Sequence, residues 1–123
     1  MMTGVVNAAL EATIRLTVQG ARGRAYEVEA VIDTGFSGFL TLPPTLITLL
    51  GAAWVGRQPG LLADGSVQIF DVYATTVLWD GQPRTVETEV VDAQPLIGMA
   101  LLQGCDLWIR VANGGSVTIE TTP

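Results

Sequence analysis

Ala30-Val31-Ile32-Asp33-Thr34-Gly35-Phe36-Ser37-Gly38 is the stretch on which the reading of this chain turns. Three apolar residues suited to a buried strand deliver a carboxylate into a turn with two glycines. An unpaired carboxylate in such a place costs several kcal/mol, so it needs hydrogen-bond donors or must stay protonated. Thr34 supplies a hydroxyl, and Gly35 lets backbone N–H groups approach a carboxylate as no other residue does. Taken alone, Asp33 is also read as a turn aspartate that caps backbone N–H groups.

Working outward, Tyr26, Val28, Ala30 and Ile32 share one face of a strand over residues 25–32, opposite Glu27 and Glu29. Before it, residues 10–18 alternate: Leu10, Ala12, Ile14, Leu16 and Val18 form the inward face, with Glu11, Thr13, Arg15 and Thr17 outward. After the Asp33 turn, residues 39–42 read as a short strand. Pro43-Pro44 open a short apolar helix that ends at Gly51. Residues 52–60 read as irregular, with an edge strand as the regular alternative. A hairpin over 61–70 is expected to turn tightly at Asp64-Gly65, where two-residue loops want positive φ at both positions. A long strand over 67–79, a second tight turn at Asp80-Gly81 and a return strand over 83–91 follow. Pro95-Leu96-Ile97-Gly98 then leads into a helical turn at Met99-Ala100-Leu101-Leu102, and a last hairpin closes around Asn113-Gly114-Gly115. The expectation is one all-β, barrel-like domain spanning residues 1–123, its core at about 10–111, with one or two short helices.

Composition removes whole classes of chemistry. The 123 residues carry no His, no Lys and a net charge of −6. Ser-His and Cys-His nucleophile pairs, lysine Schiff bases and His-ligated zinc are therefore impossible within the chain. Carboxylates are the remaining acid–base groups. An acidic surface argues against phosphate-backbone binding, so no nucleic acid is expected. No apolar run reaches the length of a membrane span, and Met1-Met2-Thr3-Gly4 lacks the basic and apolar regions of a signal peptide. The single cysteine, Cys105, reads as an inert core thiol and fits a reducing, cytoplasmic setting. Phe36, Trp54 and Trp79 read as packing residues. Glu27, Glu29, Glu87 and Glu89 read as solvated strand faces, with no metal-binding motif behind them.

Three features in this order resemble the retropepsin-like aspartic proteases, in particular their small bacterial members. Asp33-Thr34-Gly35 closes a strand, an Asp-Gly-tipped hairpin follows, and Leu96-Ile97-Gly98 precedes a short helix about sixty residues further on. The likeness spans residues 10–110. It implies a single-lobe acid-protease fold with Asp33 as the catalytic aspartate. Thr34, Gly35 and Ser37 would support it, Thr34 by a hydrogen bond across a subunit boundary and Gly35 by a backbone N–H to the carboxylate. Leu96, Ile97 and Gly98 would pass behind the loop and brace it. Ala63, Asp64, Gly65 and Ser66 would form a flap over a peptide or protein substrate, with no cofactor and no metal. Phe36 stands where retroviral relatives carry a small residue, and the hairpin tip lacks a glycine-rich run.

With one Asp-Thr-Gly in the chain, this chemistry requires a two-fold homodimer that pairs Asp33 with its own copy. The competing expectations are a catalytically inactive dimerisation or peptide-binding module of the same fold, and an unrelated β-sandwich interaction domain. The ends of the chain carry no signal that decides whether they interleave between subunits.

Overall fold

In a computed structural model, which describes residues 1–121, the chain forms ten strands and two short helices. The strands are β1 (Met2–Val6), β2 (Ala12–Gln19), β3 (Ala25–Ile32), β4 (Leu40–Leu42), β5 (Ala53–Leu61), β6 (Val67–Trp79), β7 (Gln82–Val90), β8 (Leu96–Ile97), β9 (Cys105–Ile109) and β10 (Ser116–Thr121). Helix α1 covers Pro44–Leu50 and α2 covers Met99–Leu102. All ten strands join one sheet in the order β5-β6-β7-β4-β8-β3-β2-β1-β10-β9. A second pairing of β2, with β6 at Val18↔Val77 and Gln19↔Thr76, curls β6 through β2 into a ring. The chain is therefore an all-β, barrel-like protein. β5 continues the sheet on one side of the ring and β1-β10-β9 on the other.

Alternation decides what fills the ring. Ile14, Leu16 and Val18 from β2 meet Ala30 and Ile32 from β3, Leu40 and Leu42 from β4, and Val77 and Val86 from the β6–β7 hairpin. Leu46, Ile47 and Leu50 cover this core from α1. That helix begins with Pro44 at its first position and stops at Gly51, which adopts φ +61°. There its N–H reaches the carbonyls of Ile47 and Thr48, a stop that glycine makes without a Cβ penalty. Trp79 is buried among these residues as its apolar setting predicts, and Cys105 packs at the margin of the core. Among the described residues, no helix is long and apolar enough to cross a membrane.

Several expectations change. The core does not start near residue 10, because Met2–Val6 forms a strand between β2 and β10. Its presence explains Thr13, assigned to the outer face yet 2% exposed: its hydroxyl donates to the Val5 carbonyl at 2.8 Å. Leu10 is not in a strand. It sits at φ +60° in a turn built by Asn7, whose Oδ1 accepts the amides of Ala9 and Glu11 at 3.0 and 2.9 Å.

Residues 53–61 are not irregular but a nine-residue edge strand, with a bulge between Trp54 and Gly56. Trp54 is 58% exposed there and donates its indole N–H to Asp71 at 3.3 Å, so it is not a core residue. Finally, Asp64-Gly65 is not a two-residue turn. Only Gly65 has positive φ, +85°, and the Gly65 amide donates to Leu62 while the Leu62 amide donates to Ser66. That is a three-residue loop closed by a left-handed glycine. Asp80-Gly81 does have positive φ at both positions, +52° and +80°, as its two-residue loop demands.

Candidate active site

Asp33 follows the last residue of β3, where three short strands meet. β8 lies between β3 and β4, parallel to β3 (Val31↔Leu96, Ile32↔Ile97) and antiparallel to β4 (Leu40↔Ile97, Thr41↔Leu96). The strand that arrives late in the sequence thus separates two strands joined by the Asp33 turn. Backbone hydrogen bonds lock the crossing. The amides of Val31 and Asp33 donate to Pro95 and Ile97, and those of Gly98, Met99 and Ala100 donate to Phe39, Phe36 and Gly38. Leu96, Ile97 and Gly98 therefore do pass behind the turn and brace it.

The carboxylate is pinned from within its own turn. The Gly35 amide donates to Asp33 Oδ1 at 2.9 Å, and the Phe36 amide to the Asp33 carbonyl at 3.1 Å. A Cβ on Gly35 would sit 3.2 Å from that same Oδ1, which is the space the expected close approach uses. Asp33 is half-buried, while Thr34, Gly35 and Ser37 are exposed. Among the described residues the hydroxyls of Thr34 and Ser37 have no hydrogen-bond partner within the chain. Thr34 is thus at the surface, beside the carboxylate.

Phe36 is accommodated by glycines. A Cβ on Gly38 would lie 2.5 Å from the ring Cζ, and one on Gly98 2.6 Å from Cδ2 and 2.1 Å from the Gly38 carbonyl oxygen. The ring covers the two backbone segments where they cross. It does not line the cleft beside Asp33, so the large residue next to the tripeptide stiffens the turn from behind.

That cleft has a volume of about 430 Å³ and is walled by Val6, Leu10, Ala12, Val31, Leu96, Ile109 and Val111. Asp33 and Thr34 open into it, and Glu11 is the other charged residue on its wall. Glu11 is held by the Asn7 side-chain amide at 3.0 Å. A half-buried carboxylate facing an apolar cleft can polarise a water or accept a proton from one.

The hairpin residues Ala63, Asp64, Gly65 and Ser66 lie elsewhere. All four are exposed, and none lines the Asp33 cleft within one chain. The tip holds itself together: Asp64 Oδ1 accepts the Ser66 amide at 2.9 Å and the Ser66 hydroxyl at 2.5 Å. The Ser66 hydroxyl, then the Ser66 amide, keep the Asp64 carboxyl below its usual range.

Five contributors are not evident from the sequence alone. Leu10, Ile109 and Val111 form much of the cleft rim, and their only signal in the sequence is apolar character. Thr41 was read as part of a short strand, yet at 4% exposure its hydroxyl accepts the Leu96 amide at 3.0 Å. Gly38, to which the sequence alone gives no role, is the floor for the Phe36 ring. Compared with models of known protein families and with curated proteins, the sequence matches none.

Proposed function

We propose that the chain is an aspartic-type endopeptidase whose active unit is a homodimer, with Asp33 from each copy facing the other across a two-fold axis. The observation that carries this is the placement of Asp33. It is a carboxylate held by one backbone amide, on a turn braced by five backbone hydrogen bonds from residues 95–100, at the mouth of an apolar cleft. Two carboxylates brought close share one proton, because like charges at that distance do not both ionise. The ionised one takes a proton from a bound water, whose oxygen attacks the peptide carbonyl carbon. The protonated one gives its hydrogen to the carbonyl oxygen as charge develops there. Collapse of the tetrahedral intermediate breaks the C–N bond, and the leaving nitrogen takes up a proton from the pair. In this reading Thr34, exposed next to Asp33, meets the partner copy, and the hairpin at 63–66 closes over substrate. In this reading the protein works in the cytoplasm, which its lone cysteine, left unpaired, supports.

The test is incubation of the chain and of Asp33→Asn with a mixed peptide library from about pH 4 to about pH 7. Cleavage by the first and none by the second is expected, with fold and dimer unchanged. A second reading, a dimeric peptide-binding module without catalysis, draws on the hairpin tip standing off the cleft in the single chain. Library peptides retained but uncut would favour it.

A further inference from the structure

The route by which two copies meet follows from which strand edges are free. β1 is flanked by β2 and β10, and β10 by β1 and β9, all within one chain. Gly4 and Val5 of β1 and residues 117–119 of β10 are therefore paired on both sides within their own chain, and these stretches have no free edge for a partner. Their far ends are also tied. The Met1 amino group and the Thr121 hydroxyl meet the Asp80 carboxylate at 2.8 and 2.7 Å. Val6, at the opposite end of β1, lines the Asp33 cleft. A five-residue strand puts the Asp80 tie roughly 15 Å from that cleft.

Among the described residues, only β5 and β9 end the sheet. β9 is the one that reaches the site, since its last residue, Ile109, lines the Asp33 cleft. Nothing guards its edge: Cys105–Ile109 has no Lys and no Pro, and Asp106 is its single charge. Around the same cleft Leu10 is 59% exposed, Ile109 37% and Val111 70%. Leu10 is also bulky and left-handed, at φ +60°, a conformation that leucine adopts only under constraint. A strained apolar side chain held out at the rim by Asn7 gains nothing for the isolated chain.

We propose that a second copy docks on this rim, its β9 antiparallel to β9 and its Leu10, Ile109 and Val111 buried against the same residues, while the terminal strands stay in their own chains. This rests on reading Asp33 as half of a catalytic pair. A two-fold axis that joins the two carboxylates must pass beside the clefts into which they open, and these are the apolar residues there. The contact is isologous, so one surface suffices for both copies.

Sedimentation equilibrium on the full chain tests it, with Val111→Arg, Leu10→Asn, Asp80→Ala and Asp33→Asn beside the wild type. The wild type is expected to dimerise, and Val111→Arg to raise the dimer dissociation constant about tenfold or more. Leu10→Asn should weaken the dimer while raising the melting temperature of the monomer, because asparagine tolerates positive φ. A merely structural residue would not move the two in opposite directions. Asp80→Ala, which frees the chain ends, should leave dimerisation unchanged. A wild type that is monomeric at every concentration overturns the surface, as do rim variants that dimerise normally or an Asp80→Ala that dissociates. The underlying reading fails separately. If the rim variants dissociate but the wild-type dimer cuts no peptide, the surface stands and the protease does not. If Asp33→Asn abolishes cleavage while the rim variants remain dimeric, the protease stands and the surface does not.

Discussion

The turn that carries Asp33 and the hairpin that carries Asp64 are both short, glycine-bearing and tipped with an aspartate, yet they are held in opposite ways. The Asp33 turn is locked from outside, by amides and carbonyls of residues 95–100 and by a phenyl ring lying over two glycines. The Asp64 loop is held only by itself, through Ser66 and a left-handed glycine, at the end of a two-stranded edge. A reactive group needs a fixed position, whereas a cover over substrate needs the freedom to move. On the proposed function, the two regions divide those requirements.

Substitution at the crossing should cost most. In Gly98→Ala the new Cβ would meet the Gly38 carbonyl oxygen at 2.1 Å, with no flexible atom to yield. We expect a loss of about 3 kcal/mol in chemical denaturation. If stability is unchanged, the two backbone segments do not cross as closely as described. Thr41→Val keeps the shape but leaves the half-buried Leu96 amide without its acceptor. About 1–3 kcal/mol should be lost, and amide exchange at Leu96 should accelerate. In the hairpin, Gly65→Ala meets open space and pays only for its positive φ. A loss of about 1 kcal/mol is expected, confined to exchange at residues 62–66 and absent from the Asp33 turn.

These sizes reflect what was legible in the sequence. Strand alternation exposed β2, β3 and the β6–β7 hairpin, because each has one face in the ring and one outside it. The Asp33 turn was legible because a carboxylate and glycines following apolar residues have few physical uses. β1 was not legible: Met2–Val6 is too short to show a period, and its role is set by β10, more than a hundred residues away. Leu10 was misplaced for a related reason. Its spacing from Ala12 fits a strand, and the Asn7 turn that overrides this depends on side-chain hydrogen bonds that no periodicity reports. The position of the hairpin tip relative to Asp33 was equally hidden, since it depends on the curl of the sheet.

The smallest expected effect is a matter of pH. The Asp64 carboxyl lies below its usual range because of its bonds to Ser66, so the ionised form is favoured in the closed loop. Its contribution is complete above the ordinary carboxylate range and fades as pH falls through the lowered value. Protection of the Ser66 amide against exchange should therefore fall as pH drops through that lowered value. Protection of the Ser66 amide that stays constant through that range would mean that its bond to Asp64 does not hold the loop.

The central claim is that a working site contains one Asp33 from each of two copies. Mixing the wild type with an excess of Asp33→Asn, after exchange of subunits, tests it by the rate of peptide cleavage per wild-type chain. If each wild-type chain is captured in a dead heterodimer, a ninefold excess of the variant lowers that rate to about a tenth. A rate that depends only on the amount of wild type, however much variant is added, would show that a single chain carries all the catalytic groups and would contradict the account.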